Sequence, residues 1–313
     1  TGTVAEALNT KLEQPKYFIF EADEYQNKFQ YYAPANIILT NIDFDHPDYF
    51  TDASHYEKTF ADFINRTLTS GGYVVFNSDS QQVKQLLKGA QGSYTSYGFE
   101  AGADCQIVNV NDDLNEFMIR TKNTDIPIKL HVYGRHNILD ATGAVLMALH
   151  LGISEKTIQE ELWKFKGIQR RMQPYPSDKY TVIDDYGHHP TEIAITLEAL
   201  RNHYKGKYIV TVFHPHTFSR TKALLANFGK AFKNTDLVLV LDIYPSARES
   251  ADWRSLGVHA EDVIRELEKN GSRAIYTPTI PDAADYILKN VPHGSVVITM
   301  GAGDAWQLCS LIK

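Results

Sequence analysis

The densest run of chemistry-bearing side chains is Asp184-Asp185-Tyr186-Gly187-His188-His189-Pro190-Thr191-Glu192. Two carboxylates, a phenol and two imidazoles stand between an apolar run and a stretch with helical spacing, which Thr191 and Glu192 open. Such ligands suit a metallohydrolase, and an aspartate at a strand end also suits a nucleotide ribose. Further on, Phe213-His214-Pro215-His216-Thr217-Phe218-Ser219-Arg220-Thr221 holds one arginine, Arg220, whose planar fork could take a carboxylate through two hydrogen bonds or close a salt bridge at a helix start. Glu21-Ala22-Asp23-Glu24 and Asp43-Phe44-Asp45-His46 each follow an apolar run. Three carboxylates suit a hard cation such as Mg²⁺; His46 is the odd member, able to join a shell completed by phosphate and water. Either cluster alone reads equally as hydrated acids capping helices, whereas two after successive strands point to a metal-phosphate site.

Three smaller features complete the set. Gly134-Arg135-His136-Asn137 precedes the longest helical pattern, with Asp140 one turn in, and helix N-termini attract anions. Arg170-Arg171 is a cation pair that could be solvated or could close on a phosphate between two domains. Gly301-Ala302-Gly303-Asp304 is part of a dinucleotide fingerprint that a tight strand-to-helix turn also explains. No Gly-x-x-x-x-Gly-Lys-Thr loop occurs.

The elements that must carry these groups follow from periodicity. Tyr17–Phe20, Ile37–Leu39 and Tyr73–Phe76 are short apolar runs suited to buried strands. Residues 54–68 have helical spacing, residues 92–133 predict a β-rich meander, and 138–151 predict a helix with Asn137 as N-cap and Gly152 as its stop. Beyond that, strands at Thr181–Asp184, Tyr208–Phe213, Leu237–Leu241, Arg273–Tyr276 and Val296–Met300 alternate with helices at 191–203, 221–232, 258–269, 281–289 and 303–312. This alternation predicts a parallel, doubly wound sheet with ligands at the carboxyl ends of its strands.

Composition narrows the class. The chain has 313 residues, 43% hydrophobic and 22% charged, a globular balance sufficient for two domains. Its net charge of −7 does not suggest a nucleic-acid partner. No apolar run approaches the roughly 18 residues of a membrane helix, and no signal sequence opens the chain. Two distant cysteines, Cys105 and Cys309, suit thiols in a reducing cytosol. Residues 1–167 carry 14 lysines and arginines against 22 acids, and residues 168–313 carry 17 against 16, which sets a domain junction near Gly167-Ile168. Thr1-Gly2-Thr3 reads as the middle of a loop.

In order, Glu-Ala-Asp-Glu, Thr-Asn-Ile-Asp-Phe-Asp-His-Pro-Asp-Tyr-Phe, Gly-Arg-His-Asn, Gln-Arg-Arg-Met, Asp-Asp-Tyr-Gly-His-His-Pro-Thr-Glu, Pro-His-Thr-Phe-Ser-Arg-Thr and Gly-Ala-Gly-Asp resemble the motifs of the Mur ligases across essentially the whole chain. The fifth and sixth segments resemble the alanine-adding type more than the ligase that recycles murein tripeptide. The resemblance implies an α/β chain with a partial central ATPase domain, a mixed sheet with helices, over 1–167 and a C-terminal Rossmann-like doubly wound domain over 168–313. It implies that a UDP-binding domain and the P-loop lie upstream, so that this fragment alone is inactive. It implies a cytoplasmic ligase of peptidoglycan precursor synthesis that uses ATP and Mg²⁺ to join L-alanine to UDP-N-acetylmuramate through an acyl phosphate; the oligomeric state is left open. Residue by residue it implies Mg²⁺ contacts for Glu21 and His46, and nucleotide contacts for His136, Asn137, Asp140, Arg171 and Asp185. Asp140 stands where the family usually has an adenine-contacting asparagine, and His214 where glutamine is common. Tyr186, His188 and Arg220 match residues near the amino acid and its acceptor. A metal-dependent hydrolase and a non-catalytic binding module are the alternatives.

Overall fold

The computed structural model describes residues 16–47, 49–112, 114–245 and 257–313. Thr1-Gly2-Thr3 lies outside them. The first sheet has six strands in sequential order: β1 (Asn36–Leu39), β2 (Tyr73–Asn77), β3 (Ser93–Gly98), β4 (Cys105–Asn111), β5 (Glu116–Arg120) and β6 (Asp125–Lys129). Pairing is parallel from β1 to β4 and antiparallel from β4 to β6. Among the described residues a 3₁₀ helix at Tyr25–Tyr31 and four α-helices accompany it: α1 (Ala53–Thr69), α2 (Gln81–Leu86), α3 (Arg135–His150) and α4 (Glu155–Lys164). Alternation along β2 sends Val74 and Phe76 toward Phe60, Phe63 and Ile64 of α1, and Val75 toward Val145 and Leu146 of α3. Both faces are thereby covered, which is why the strand reads as an unbroken apolar run.

The second sheet contains β7 (Gln173–Tyr175), β8 (Thr181–Asp185), β9 (Ile209–Phe213), β10 (Leu237–Val240), β11 (Ala274–Tyr276) and β12 (Val296–Met300) in the order β11-β10-β9-β12-β8-β7. Every pair is parallel except β7–β8. Its helices are α5 (Pro190–His203), α6 (Phe218–Ala223), α7 (Leu225–Ala231), α8 (Ala260–Lys269), α9 (Ile280–Asn290) and α10 (Leu308–Leu311). Helices α5, α7 and α8 cover one face through Leu197, Phe228 and Val263; α9 and α10 cover the other through Ile287 and Leu308. The sheet is thus doubly wound, and its strand ends point the polar loops to one edge. No helix among the described residues is long and apolar enough to cross a membrane. Both cysteines are buried and free.

Several expectations need correction. Tyr17–Phe20 forms no strand: the ladder stops at β1, and Phe18 and Ile19 are 75% and 82% exposed. An apolar run becomes a buried strand only with a paired neighbour and cover on both faces, and the described residues supply neither. Helix α3 starts three residues before the expected 138, with Gly134 as N-cap at φ 104°. Asn137 sits inside the first turn, its amide donating to the Tyr133 carbonyl at 2.8 Å. The stretch 221–232 is two helices meeting at Leu224, and 303–312 is a short 3₁₀ turn at Ala305–Gln307 followed by α10. Strand β7 and helices α2 and α4 carry no strong periodic signal and were not anticipated.

Helix α5 matters most for the site, because it starts in the His188-His189 loop and packs on both units. Leu197 is fully buried, so Leu197→Ala is expected to lower unfolding free energy by about 2–5 kcal/mol. Urea denaturation should show that loss, with Glu198→Ala, on the exposed face, within about 0.5 kcal/mol of the parent. A loss for Leu197→Ala no larger than for the surface variant would mean that α5 is not seated as described.

Candidate active site

A cleft of about 1790 Å³ opens between the carboxyl ends of the two sheets, and Glu21, His46, Arg171, Tyr186, His188 and Arg220 all stand in its wall. His46 comes from the loop after β1, Arg171 from the connection between the sheets, Tyr186 and His188 from the β8–α5 turn, and Arg220 from α6 after β9. Six of the ten expected site residues, from segments up to 199 positions apart in the chain (Glu21 to Arg220), therefore share one cavity.

Three consecutive residues close one side of the cleft. Asp43 accepts a very short hydrogen bond from the Thr191 hydroxyl. The Phe44 carbonyl faces His189 Nε2 at 3.3 Å. His189 Nδ1 accepts the Thr191 amide at 3.3 Å and caps α5, so Nε2 carries the proton and donates across the cleft. Asp45 takes Arg220 in a two-bond fork, Nε to Oδ1 and Nη2 to Oδ2, both at 3.0 Å. Arg220 is 7% exposed, a placement tolerable for a guanidinium only when it is paired. Of the two partners expected for Arg220, the salt bridge is the one seen: its fork closes on Asp45. Asp45, from the acidic cluster after β1, thereby joins the two units. Burial pushes its carboxyl up, but Arg220 and then His46 outweigh this and leave it below the usual range.

The acids at the end of β8 face away from the cleft. Asp184, with no exposed surface, accepts from Thr299 Oγ1 at 2.7 Å and Arg170 Nε at 3.1 Å. Asp185 is 2% exposed and accepts from the Gly187 and Met172 amides at 2.7 and 2.9 Å. It is not among the residues of the cavity wall, and each of its oxygens takes one backbone donor. Arg170 and Arg171 part company. Arg170 is held by Asp184 and the Gly301 carbonyl at 2.8 Å, while Arg171 turns to the cleft and meets Glu192 Oε1 at 3.2 Å. The Tyr186 ring lies under both guanidiniums, 4.9 and 5.7 Å from its centroid. His188 Nδ1 meets the Tyr186 carbonyl at 3.2 Å, which makes Nδ1 the donor and leaves Nε2 as an acceptor. Burial, and after it the Arg220 charge, lowers the His188 pKa and favours this neutral ring.

His136, Asn137 and Asp140 stand at the start of α3, outside the main cavity wall. Asn137 donates toward His136 Nε2 at 3.0 Å, so the ring proton sits on Nδ1, which is buried and unpartnered. Burial, helped by Arg171, pulls this imidazole down to about 4. A Cβ on Gly134 would come within 2.7 Å of the His136 ring and 2.9 Å of Ala199 on α5, so only glycine lets the two units approach here. Burial pushes Asp140 up to about 6, against the opposing pull of Arg171.

Glu21 and His46 share the wall, but His46 Nε2 lies 3.4 Å from Glu24 and 3.9 Å from Asp45. Burial lowers the His46 pKa, yet the Glu24 hydrogen bond and the Asp45 charge more than offset it and leave it raised. Among the described residues, no three of His, Cys, Asp or Glu converge to hold a metal unaided. A half-shell of one carboxylate and one imidazole fits Mg²⁺ only where phosphate and water complete it.

A family model for the Mur ligase middle domain matches residues 2–148, and one for the Mur ligase glutamate ligase domain matches residues 170–303. The chain belongs to the Mur ligase family. It is 37% identical over 306 residues to a UDP-N-acetylmuramate–L-alanine ligase of Desulforamulus reducens, covering 96% of this chain and 65% of that protein. It is 38% identical over 308 residues to the protein of that name in Acetivibrio thermocellus, with 96% and 64% covered. The chain therefore spans about two-thirds of the length of these Mur ligases. Among solved folds, a UDP-N-acetylmuramate-alanine ligase of Thermotoga maritima superposes with a TM-score of 0.66 at 22% identity, covering 91% of this chain and 60% of that one. MurF of Acinetobacter baumannii gives 0.71 at 16%, with 90% and 61% covered.

The Asp45–Arg220 fork is expected to couple the units energetically. Asp45→Ala and Arg220→Ala should each destabilise, and the double variant should be less destabilised than the sum by about 0.5–3 kcal/mol; strict additivity in urea melts would show the contact to be absent in solution. The raised His46 pKa makes a second prediction. Its contribution to stability is full below the ordinary 6.5 and is lost as pH rises through the higher folded value. Glu24→Gln should bring the imidazole midpoint down in an NMR titration, and an unmoved midpoint would remove Glu24 as the cause.

Proposed function

We propose that this Mur ligase chain is the nucleotide- and amino-acid-handling part of an ATP-dependent ligase that joins L-alanine to UDP-N-acetylmuramate for peptidoglycan precursor synthesis in the cytoplasm. The observation that carries the proposal is the single cleft in which a cation, a neutral imidazole, a phenol and a partial metal shell from two sheets face one another. The names of the relatives support the substrate pair. We take 167/168 as the boundary between the two domains; it falls between α4 and β7.

In this proposal a substrate carboxylate oxygen attacks the γ-phosphorus of ATP, ADP leaves, and the amine nitrogen of alanine then displaces phosphate from the acyl carbon. Such chemistry asks the protein mainly for alignment and charge compensation. Arg171 stands in the cleft with its charge half exposed and is suited to face the transferring phosphate. His188, neutral and with Nε2 as acceptor, is suited to take the proton that the amine loses. Tyr186 lies beside it, its ring edge-on to His188 at 5.3 Å, and limits the space at that point. Arg220 holds the wall in place through Asp45. Glu21 and His46 would hold Mg²⁺, which when bound neutralises phosphate charge. His136, Asn137 and Asp140 would face the nucleotide from the start of α3.

In a chain completed to the relatives' length, calorimetry with Mg²⁺ and ATP tests the nucleotide half: Arg171→Ala should weaken binding about tenfold, the size of one charge-assisted contact. Equal affinities would take Arg171 out of the phosphate site. In a chain completed to the relatives' length, His188→Ala should reduce kcat with little change in Tm. His189→Ala, which removes the α5 cap and the contact to Phe44, should lower Tm by several degrees. The reverse pattern would exchange the roles of the two histidines.

A further inference from the structure

The connection that carries Arg171 is strained. Arg170 and Met172, on either side of it, have φ of 60° and 46°, a left-handed backbone that costs a non-glycine residue about 1–3 kcal/mol and persists only where its surroundings enforce it. The enforcing groups all come from the strand ends of the second sheet. The Tyr186 amide donates to the Arg170 carbonyl at 2.6 Å. Asp185 Oδ2 accepts from the Met172 amide at 2.9 Å, while its Oδ1 is steadied by the Gly187 amide at 2.7 Å. The Arg170 side chain is tied to Asp184 and Gly301. Arg171 is thus bracketed by two fixed backbone points, and its guanidinium is sent into the cleft.

We infer that Asp185 is a positioning residue for Arg171: by pinning the Met172 amide it holds the strained turn that aims the guanidinium at the cleft. The consequence for catalysis rests on the reading of Arg171 proposed above, whereas the positioning itself concerns only groups within the chain.

His136 supplies a readout that needs no ligand. Its imidazole is held down to about 4 by burial and then by Arg171, so its midpoint reports where that guanidinium stands. Arg171→Ala should raise it. If Asp185 acts through Arg171, Asp185→Asn should raise it too, by at least half as much, and Arg171→Ala/Asp185→Asn should rise no further than Arg171→Ala alone. The sign is diagnostic, because losing a carboxylate directly would lower an imidazole pKa. A second variant leaves the charge in place: a Cβ at Gly187 would fall 2.7 Å from Asp185 Oδ1, so Gly187→Ala should push the carboxylate off the Met172 amide and raise the midpoint as well. These NMR titrations use the 313-residue chain. A midpoint that stays or falls in Asp185→Asn, or in Gly187→Ala where the asparagine variant does not fold, overturns the inference, as does additivity in the double variant. Calorimetry with inorganic tripolyphosphate, which has no ribose, separates this from the functional reading. Weaker binding in Asp185→Asn supports positioning. Tripolyphosphate binding left unchanged in Asp185→Asn overturns it, whatever happens to ATP. These binding measurements use a chain completed to the relatives' length; a completed parent that binds neither would sink the phosphate role of Arg171, while the titrations still decide the role of Asp185.

Discussion

Two adjacent carboxylates stand at the end of a strand that is buried on both faces, and both must find donors. Asp184 and Asp185 cannot be hydrated where they are, and an unsatisfied buried charge would cost several kcal/mol. Thr299 and the Gly187 amide supply part of what is needed. The rest comes from the connection between the sheets, through the Arg170 side chain and the Met172 amide. Satisfying these two acids therefore shapes the joint between the domains, sends Arg170 one way and Arg171 the other, and stacks both guanidiniums over Tyr186. The placement of the cleft cation is a by-product of solving a solvation problem in the sheet.

The opposite wall is held by a different kind of contact. Asp43, Phe44 and Asp45 meet Thr191, His189 and Arg220 through one carboxylate–hydroxyl bond, one carbonyl bond and one bidentate ion pair. Three polar contacts of differing geometry define an orientation that an apolar patch would leave free to slide. His189 serves twice, capping α5 with one ring nitrogen and bridging the units with the other. The same short turn thus orients His188 toward the cleft and ties the helix behind it to the first sheet.

Much of this was legible in the sequence where the signal is local. Continuous apolar runs such as Val296–Met300 have both faces buried, and polar clusters follow strands because the carboxyl edge of a parallel sheet is where loops gather. The same logic misled at Tyr17–Phe20, since apolarity says that a segment prefers cover but not that cover is available. Asn137 looked like a cap because its type suits one, yet Gly134 could take the backbone angle that starts the helix earlier. Arg220 announced a carboxylate partner, but nothing local says that it is Asp45, 175 residues away. Asp185 likewise has the chemistry for a ribose, and only the structure shows that each of its oxygens takes one backbone donor.

Strand β7 gives the joint a mechanical character. The connection runs directly into Gln173–Tyr175, which pairs antiparallel with β8 through Gln173↔Asp184, Pro174↔Ile183 and Tyr175↔Val182. A pull that separates the domains loads the Gln173 end of this ladder first, one residue pair at a time. The ribbon would peel like a zipper and would not resist as a sheared sheet does, where all bonds share the load. The bond of Arg170 to Asp184 lies beside that end, so tension on the joint bears directly on one of the two buried acids.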